Sequence, residues 1–404
     1  MSAAPHGLAL RRGPQSPGGR EGLEPTSAHT GPVPNDFPAA RRSSAPSRPA
    51  IEGFPIRFIH ETLPSRVVFR AGALDDLAPE TARLGSRAFV ISTPGQKALG
   101  EHCAGLLGSS AITVYDKAVM HTPAGAVRAA VEHATRLDAD CLIAIGGGST
   151  IGLAKAIAFE RRLPILAVAT TYSGSEVTPI WGYTENGIKH VARDPHTQPR
   201  TVIYDPLLTF KLPPKVSATS GVNAIAHCVE ALYSETANPL VSQMAEEGIR
   251  ALGHSLPTVV KDPENVDART EALYGAWLGG CVLAAVGMAL HHKLAHVIGG
   301  AFNTPHAETH TVILPHATAY NSVAEQAMSR ISRALGGSNA AQALFDLNGS
   351  IGAPRSLKEL GMPESGIEQA VSLATKNPYY NPAPVTAEGI RRLLRNAWEG
   401  RRPE

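Results

Sequence analysis

The chain has 404 residues, 43% of them apolar, and a formal net charge of +2. That length suits two or three domains, and the apolar content suffices for a folded core. The near-neutral balance excludes a wholly disordered chain and an overall basic field of the kind that binds nucleic acid.

Nine of the 32 prolines fall in the first fifty positions, where six arginines face only Glu21, Glu24 and Asp36. No apolar periodicity there can repay the entropy of ordering, so residues 1–52 are read as a disordered extension. The segment lacks the apolar run of a secretory signal, and no clean stretch of about 20 apolar residues offers a membrane span. Its Arg and Ser content leaves an organelle transit peptide open, beside a misassigned start or a simple tail. Cys103, Cys141, Cys228 and Cys281 form no Cys-x-x-Cys pair. A structural zinc or disulfide framework is therefore not expected, and a cytoplasmic location is the default.

From residue 54 onward short apolar runs alternate with helical stretches. Strands are predicted at 66–69, 87–92, 111–115, 141–145 and 164–168. Helices are predicted at 71–84, 97–107, 123–135 and 150–159. This alternation predicts a parallel, doubly wound α/β sheet, a Rossmann-like dinucleotide-binding domain over 53–213. After Leu212-Pro213-Pro214 the strand signals stop. Ala- and Leu-rich segments at 223–233, 239–252, 266–286, 291–302, 325–335 and 340–351 predict an all-α domain over 214–404. A cleft between the two halves is where a ligand is expected.

The run Cys141 to Ile145 leads directly into Gly146-Gly147-Gly148-Ser149 and a helix. Three glycines let the backbone approach a ligand, and the amides of a helix start together with Ser149 can hold a pyrophosphate; the plainer reading is a turn. The pattern is neither Gly-x-Gly-x-x-Gly nor a P-loop. Thr170-Thr171-Tyr172-Ser173-Gly174-Ser175-Glu176 follows the next strand. Its hydroxyls, notably those of Thr170, Thr171 and Ser173, suit a cofactor, and its Ser-to-Glu spacing also suits a helix cap.

Eight of the sixteen histidines lie between Gly221 and Tyr320. Asn223 and His227 are four apart on a predicted helix and share a face, His292 and His296 repeat that spacing, and His306 follows Pro305 in the next loop. Two such pairs and a loop histidine in one domain point to a site rather than to scattered packing.

These segments together resemble the iron-containing alcohol dehydrogenase family, whose architecture is that of dehydroquinate synthase. The motifs are Gly146-Gly147-Gly148-Ser149, Ala154-Lys155, Ser173-Gly174-Ser175-Glu176-Val177-Thr178, Asp205-Pro206, the run Gly221 to His227, and His292-x-x-x-His296 with Pro305-His306. The resemblance implies a metal held by one Asp and three His, at the positions of Asn223, His227, His292 and His306. Here the Asp position holds Asn, and a second family Asp is Gly152. Both departures, with His292-Lys293-Leu294-Ala295-His296 and Pro305-His306-Ala307-Glu308-Thr309-His310, resemble the maleylacetate reductase branch.

That resemblance implies reduction of maleylacetate to 3-oxoadipate by NADH or NADPH in the breakdown of aromatic compounds. The alternative it leaves is a metal-dependent alcohol dehydrogenase of the same family. Without the carboxylate a tightly bound metal is not expected. Imidazoles of His227, His292, His296 and His306 are expected to serve instead, one stabilising the enolate and another supplying a proton, with the Asn223 amide as a further donor. Lys293 is a candidate for a substrate carboxylate, or else an outward-facing lysine. His310 is a weaker candidate that packs near the site. Lys189 matches a family lysine near the cofactor ribose; its plainer reading is an exposed hairpin lysine. No acid ends the strand at 87–92, so NADPH stays open beside NADH. The partners expected are a small dicarboxylate and a second copy in a homodimer, with neither nucleic acid nor membrane.

Overall fold

The computed structural model describes residues 60, 65–185 and 188–404. The extension expected at 1–52 lies outside the described residues. The chain runs through β1 (Arg66–Phe69), a 3-10 turn, α1 (Leu77–Ala82), β2 (Ala88–Ile91), α2 (Lys97–Leu107), β3 (Ala111–Tyr115), α3 (Ala124–Arg136), β4 (Cys141–Gly146), α4 (Gly148–Arg161) and β5 (Ile165–Ala169). A hairpin of β6 (Ile180–Glu185) and β7 (Ile188–Arg193) precedes β8 (Thr201–Tyr204). The strands lie in the order β1-β8-β5-β4-β2-β3 in one parallel sheet, and β6 pairs with β7 antiparallel apart from it.

The four inner strands are buried at every position. Their sequences, AFVI, CLIAIG, ILAVA and TVIY, are nearly continuous apolar runs because both faces of a parallel sheet are covered. Chain order reverses between β2, which leads outward to β3, and β4, which leads the other way to β5. The carboxyl ends of these two strands therefore border a crevice, the usual ligand position in such sheets.

The helical part comprises α5 (Pro214–Leu232), α6 (Pro239–Lys261), α7 (Val266–Ala285), α8 (Leu290–Phe302), α9 (His306–Tyr320), α10 (Glu325–Leu335), α11 (Ala340–Ser350), α12 (Gly366–Thr375) and α13 (Ala387–Glu399). Asn238 and Asn265 cap α6 and α7 by accepting the amides of Val241 and Ala268 at 3.0 Å each. From Ser217 to Leu232 every residue of α5 is buried. One apolar cluster joins both parts, containing Phe89 and Ile91 of the sheet, Val222 and Ile225 of α5 and Leu344 of α11. Gly53–Glu404 accordingly forms one compact unit. Among the described residues no single helix is long and apolar enough to cross a membrane; α7 and α8 meet that test only as a pair bent by 97°.

The order of an α/β part followed by a helical part is as expected, and the differences have local causes. The helix expected at 71–84 is divided: Gly72 takes φ 71, a 3-10 turn follows, and α1 begins at Leu77. The expected end of α6 at 252 is exceeded because Pro257 is accommodated four residues before the helix stops. His306 was expected in a loop after Pro305, and no helix was predicted over 306–320. Pro305 instead serves as the residue before the helix, where proline costs nothing. β8, α12 and α13 escaped the reading from the sequence, and the hairpin was read only as the setting of Lys189, without bounds for its strands.

Candidate active site

At the crevice β4 ends in Gly146, whose φ of 147° excludes other residues without strain and whose carbonyl accepts the Thr170 amide at 3.2 Å. The Gly147 carbonyl accepts the amides of Thr150 and Ile151 at 3.1 Å each, and no side chain caps the start of α4. The amides of Gly148 and Ser149 thus have no intrahelical acceptor, which with the helix dipole suits an anion. A Cβ on Gly148 would meet no protein atom within 4 Å, whereas one on Gly147 would lie 2.6 Å from Thr171 Oγ1. Gln96, on the loop after β2, donates to Thr170 Oγ1 at 2.8 Å and ties the two sides of the crevice together. Ser173 is committed differently: its hydroxyl donates to the Glu176 carboxylate at 2.8 Å, and no side chain caps the short 3-10 turn that follows, so the helix-cap reading of that motif does not hold.

The segment after β5 is held rigidly against the helices. Tyr172 donates its amide to Ser220 Oγ of α5 at 3.0 Å. Fully buried Arg269 of α7 donates to Tyr172 Oη, Ser217 Oγ and the Pro263 carbonyl at 3.0, 2.8 and 2.8 Å. Gly174 and Gly280 allow this segment to lie on α7, for a Cβ on Gly280 would be 2.6 Å from the Gly174 carbonyl oxygen. Lys155 Nζ, wholly buried, donates to the carbonyls of Ser175 and Ile180 and to Thr178 Oγ1 at 2.6, 2.8 and 2.9 Å; burial pulls its pKa down to about 7. Glu176, also buried, accepts from Tyr204 Oη at 2.9 Å, and burial raises its pKa.

Opposite this wall three helices bring the histidines together. α5 supplies Asn223 and His227, α8 supplies His291, His292 and His296, and α9 supplies His306 and His310. Ring centres of His227 and His292 are 5.2 Å apart, of His292 and His310 4.7 Å, of His306 and His310 4.4 Å, and of His296 and His306 6.0 Å. His306, expected in a loop, is the first residue of α9, which sets it one turn from His310 on the same face. His310, a weaker candidate in the sequence, stands at the centre of the group. Buried Asn223 Oδ1, His227 Nδ1, His292 Nε2 and His310 Nε2 have no partner within the protein.

Glu230 organises this cluster and was not singled out from the sequence. It accepts the amides of Ala289, His291 and His292 at 3.1, 2.8 and 3.4 Å, closing the open start of α8. It also accepts His292 Nδ1 at 2.6 Å. Its spacing from Asn223 and His227, seven and three residues along one helix, is the signal that could have revealed it. His291 was likewise missed; its Nε2 lies 2.8 Å from His310 Nδ1.

Burial lowers the pKa values of His227, His291, His306 and His310 well below the usual range, and that of His296 to about 3. These imidazoles are neutral at pH 7. His296 and His306 nevertheless remain exposed to water. Lys189 is also open to water, and its ammonium bears on His121, His296 and His306. It thus faces the histidine cleft, not the hairpin's outer side alone. Lys293 places Nζ 5.8 Å from the Tyr379 ring centre, a cation–π contact that holds it near the cluster. The four cysteines are free, and burial pushes Cys103, Cys141 and Cys281 up to about 12, so they offer no thiolate to this chemistry.

Residues 64–206 match the family model for iron-containing alcohol dehydrogenase, and residues 217–398 match that for the C-terminal part of the Fe-containing alcohol dehydrogenase family. The chain belongs to the iron-containing alcohol dehydrogenase family. Within that family it is similar to maleylacetate reductases. The enzyme of that name from Burkholderia cepacia is 57% identical over 348 residues, covering 86% of this chain and 99% of the relative. The solved maleylacetate reductase from Rhizobium sp. strain MTP-10005 is 47% identical with a TM-score of 0.83, covering 86% of this chain and 100% of its own. That from Agrobacterium tumefaciens is 48% identical with a TM-score of 0.83, covering 86% and 99%. The chain is therefore an oxidoreductase that uses a nicotinamide cofactor.

The family name implies a metal ion. At the four matching positions, Asn223 replaces the only carboxylate. Among the described residues, the two groups of three potential ligands close enough to share an ion are His291, His292 and His310, and His296, His306 and His310. Neither contains His227. The residues present do not assemble the family's Asp and three His ligand set, and no step of the chemistry below passes through a metal there.

Proposed function

We propose that this chain reduces the conjugated double bond of maleylacetate to give 3-oxoadipate, with NADH or NADPH as hydride donor and imidazoles in place of a metal. The observation that carries this reading is the wall of imidazoles from α5, α8 and α9, in which, among the described residues, His292 alone is bonded to a carboxylate. When bound at the crevice, the nicotinamide cofactor supplies the hydride.

Hydride addition at the carbon β to the ketone develops negative charge on the ketone oxygen. A neutral imidazole N–H can stabilise that oxygen, and His296 and His306 face the cleft in neutral form. Proton delivery to the α-carbon needs a group that can hold and release a proton. Glu230 accepts the Nδ1–H of His292 and fixes its tautomer, so that Nε2 points away from the carboxylate. Asn223 supplies an amide, and Lys189 and Lys293 provide the positive charge that a dicarboxylate requires. The open amides of Gly148 and Ser149 support pyrophosphate binding, with Gly146, Gly147, Thr170 and Thr171 forming the crevice floor.

The test is spectrophotometric. Purified protein should oxidise NADH or NADPH when maleylacetate is added, should leave simple aldehydes untouched, and should keep its rate in chelator. Inhibition by chelator with recovery on adding Fe²⁺ or Zn²⁺ would overturn the imidazole route, and no oxidation at all would overturn the substrate. The same reading carries a homodimer acting in the cytoplasm during aromatic-ring breakdown, which solution mass and cell fractionation test.

A further inference from the structure

His306 and His310 are four residues apart on α9, a spacing that turns two imidazoles to one side of a helix as in metal-binding His-x-x-x-His pairs. His296 of α8 faces them, its ring centre 6.0 Å from His306 and 6.3 Å from His310. One nitrogen from each of the three lies within 4.8 Å of the others. A tetrahedral zinc holds its nitrogen ligands about 3.3 Å apart, so modest side-chain rotation closes the set.

His310 is wholly buried, and its Nε2 has no partner within the protein. Its Nδ1 is 2.8 Å from His291 Nε2, the second hydrogen bond that a metal-bound imidazole ordinarily makes and that leaves Nε2 as the ligand atom. The alternative group of His291, His292 and His310 is buried throughout, and its members are bonded to each other and to Glu230. Only the His296 group opens to the cleft, which leaves an entry path and a fourth coordination position.

We propose that His296, His306 and His310 form a site for a borderline divalent cation such as Zn²⁺, differing from the family's ligand set in two of its three histidines. The site excludes Asn223, His227 and His292. Three neutral nitrogen ligands without a carboxylate select Zn²⁺, Co²⁺, Ni²⁺ or Cu²⁺ over Mg²⁺ and Ca²⁺. The Lys189 ammonium bears on two of the ligands and weakens the site without entering it. Occupation withdraws His296 and His306 from the substrate oxygen, so the cation blocks reduction reversibly; this consequence, unlike the binding itself, rests on the function proposed above.

The test uses the untagged full chain and Co²⁺, whose visible absorption reports tetrahedral nitrogen ligation independently of turnover. One equivalent should bind, the band should survive Asn223→Ala, and it should be lost in His296→Ala, a change at a water-accessible side chain that the fold tolerates. Loss in Asn223→Ala with retention in His296→Ala would return the ion to the family's position and overturn the proposal, as would absence of any band in the parent protein. Zn²⁺ displacing the cobalt should suppress maleylacetate-dependent NADH oxidation in proportion to occupancy, with recovery in chelator. A fully occupied site with undiminished turnover would overturn the blocking role. Failure of metal-free protein to reduce maleylacetate would instead defeat the proposed function and leave the cobalt result readable.

Discussion

Replacing Glu230 by Gln removes the carboxylate bonded to His292. The carboxylate now accepts His292 Nδ1 at 2.6 Å and three amides of α8 at 2.8 to 3.4 Å. Gln can keep its oxygen on Nδ1 only by turning its NH₂ toward the His291 amide, so two donors face each other. A hydrogen bond from an imidazole N–H to a carboxylate is worth about 1.5–3 kcal/mol. The neutral oxygen of Gln restores about 1 kcal/mol. About 1–2 kcal/mol of the bond that orients His292 is lost, which lowers kcat about tenfold. Opening the start of α8 costs about 2 kcal/mol and lowers Tm by several degrees. Steady-state kinetics with maleylacetate gives the first quantity, and calorimetry the second. NADH affinity, read by fluorescence, should be unchanged because the glycine loop is untouched. A Glu230→Gln protein with native near-UV dichroism and kcat within about threefold of the parent would refute the Glu230–His292 reasoning.

Gly148→Ala adds a methyl that meets no protein atom within 4 Å. Its stability should change by less than about 0.5 kcal/mol, while NADH binding measured by calorimetry weakens about tenfold or more if this helix start holds the phosphates. Arg269→Ala leaves Tyr172, Ser217 and two carbonyls without their buried donor and should cost about 3–5 kcal/mol in urea unfolding. Arg269→Lys should not restore it, since one ammonium cannot span that fork of acceptors. Burial pushes Glu246 up, but Arg333 and Arg330 outweigh it and hold its carboxyl below the usual range. Because the folded value is the lower one, this stabilisation is complete above the ordinary carboxylate pKa and disappears as pH falls through the folded value. Glu246→Gln should therefore cost about 0.5–1 kcal/mol at pH 7, partly screened at exposed Arg333, and progressively less in thermal melts below about pH 4.

Much of the α/β part was legible because its strands are short apolar runs separated by helices of ordinary length. The runs at 111–115 and 97–107 coincide with β3 and α2. The extent of the hairpin at 180–193 was not legible beyond Lys189: Trp181, Tyr183 and His190 form a stacked row whose partner Phe159 belongs to α4. Such a hairpin takes its apolar environment from tertiary packing rather than from alternation along the chain. The glycine loop, the Asn223–His227 pair and the His292–His296 pair were legible because each depends on local spacing.

What the sequence determined by itself was the list of groups and their helical phase: which glycines begin α4, and which histidines share a face. Helical periodicity is local, so a single chain segment is enough to establish it. Tertiary structure decided which faces meet. It drew His310 from the margin to the centre, made Glu230 the partner of His292 across 62 positions of sequence, committed Ser173 to Glu176, and turned Lys189 toward the histidines. It also left His227 outside both groups of converging nitrogens. Those outcomes depend on how α5, α8 and α9 pack, because hydrogen bonds and electric fields follow distances in space, and the pattern of residues along each helix does not contain them.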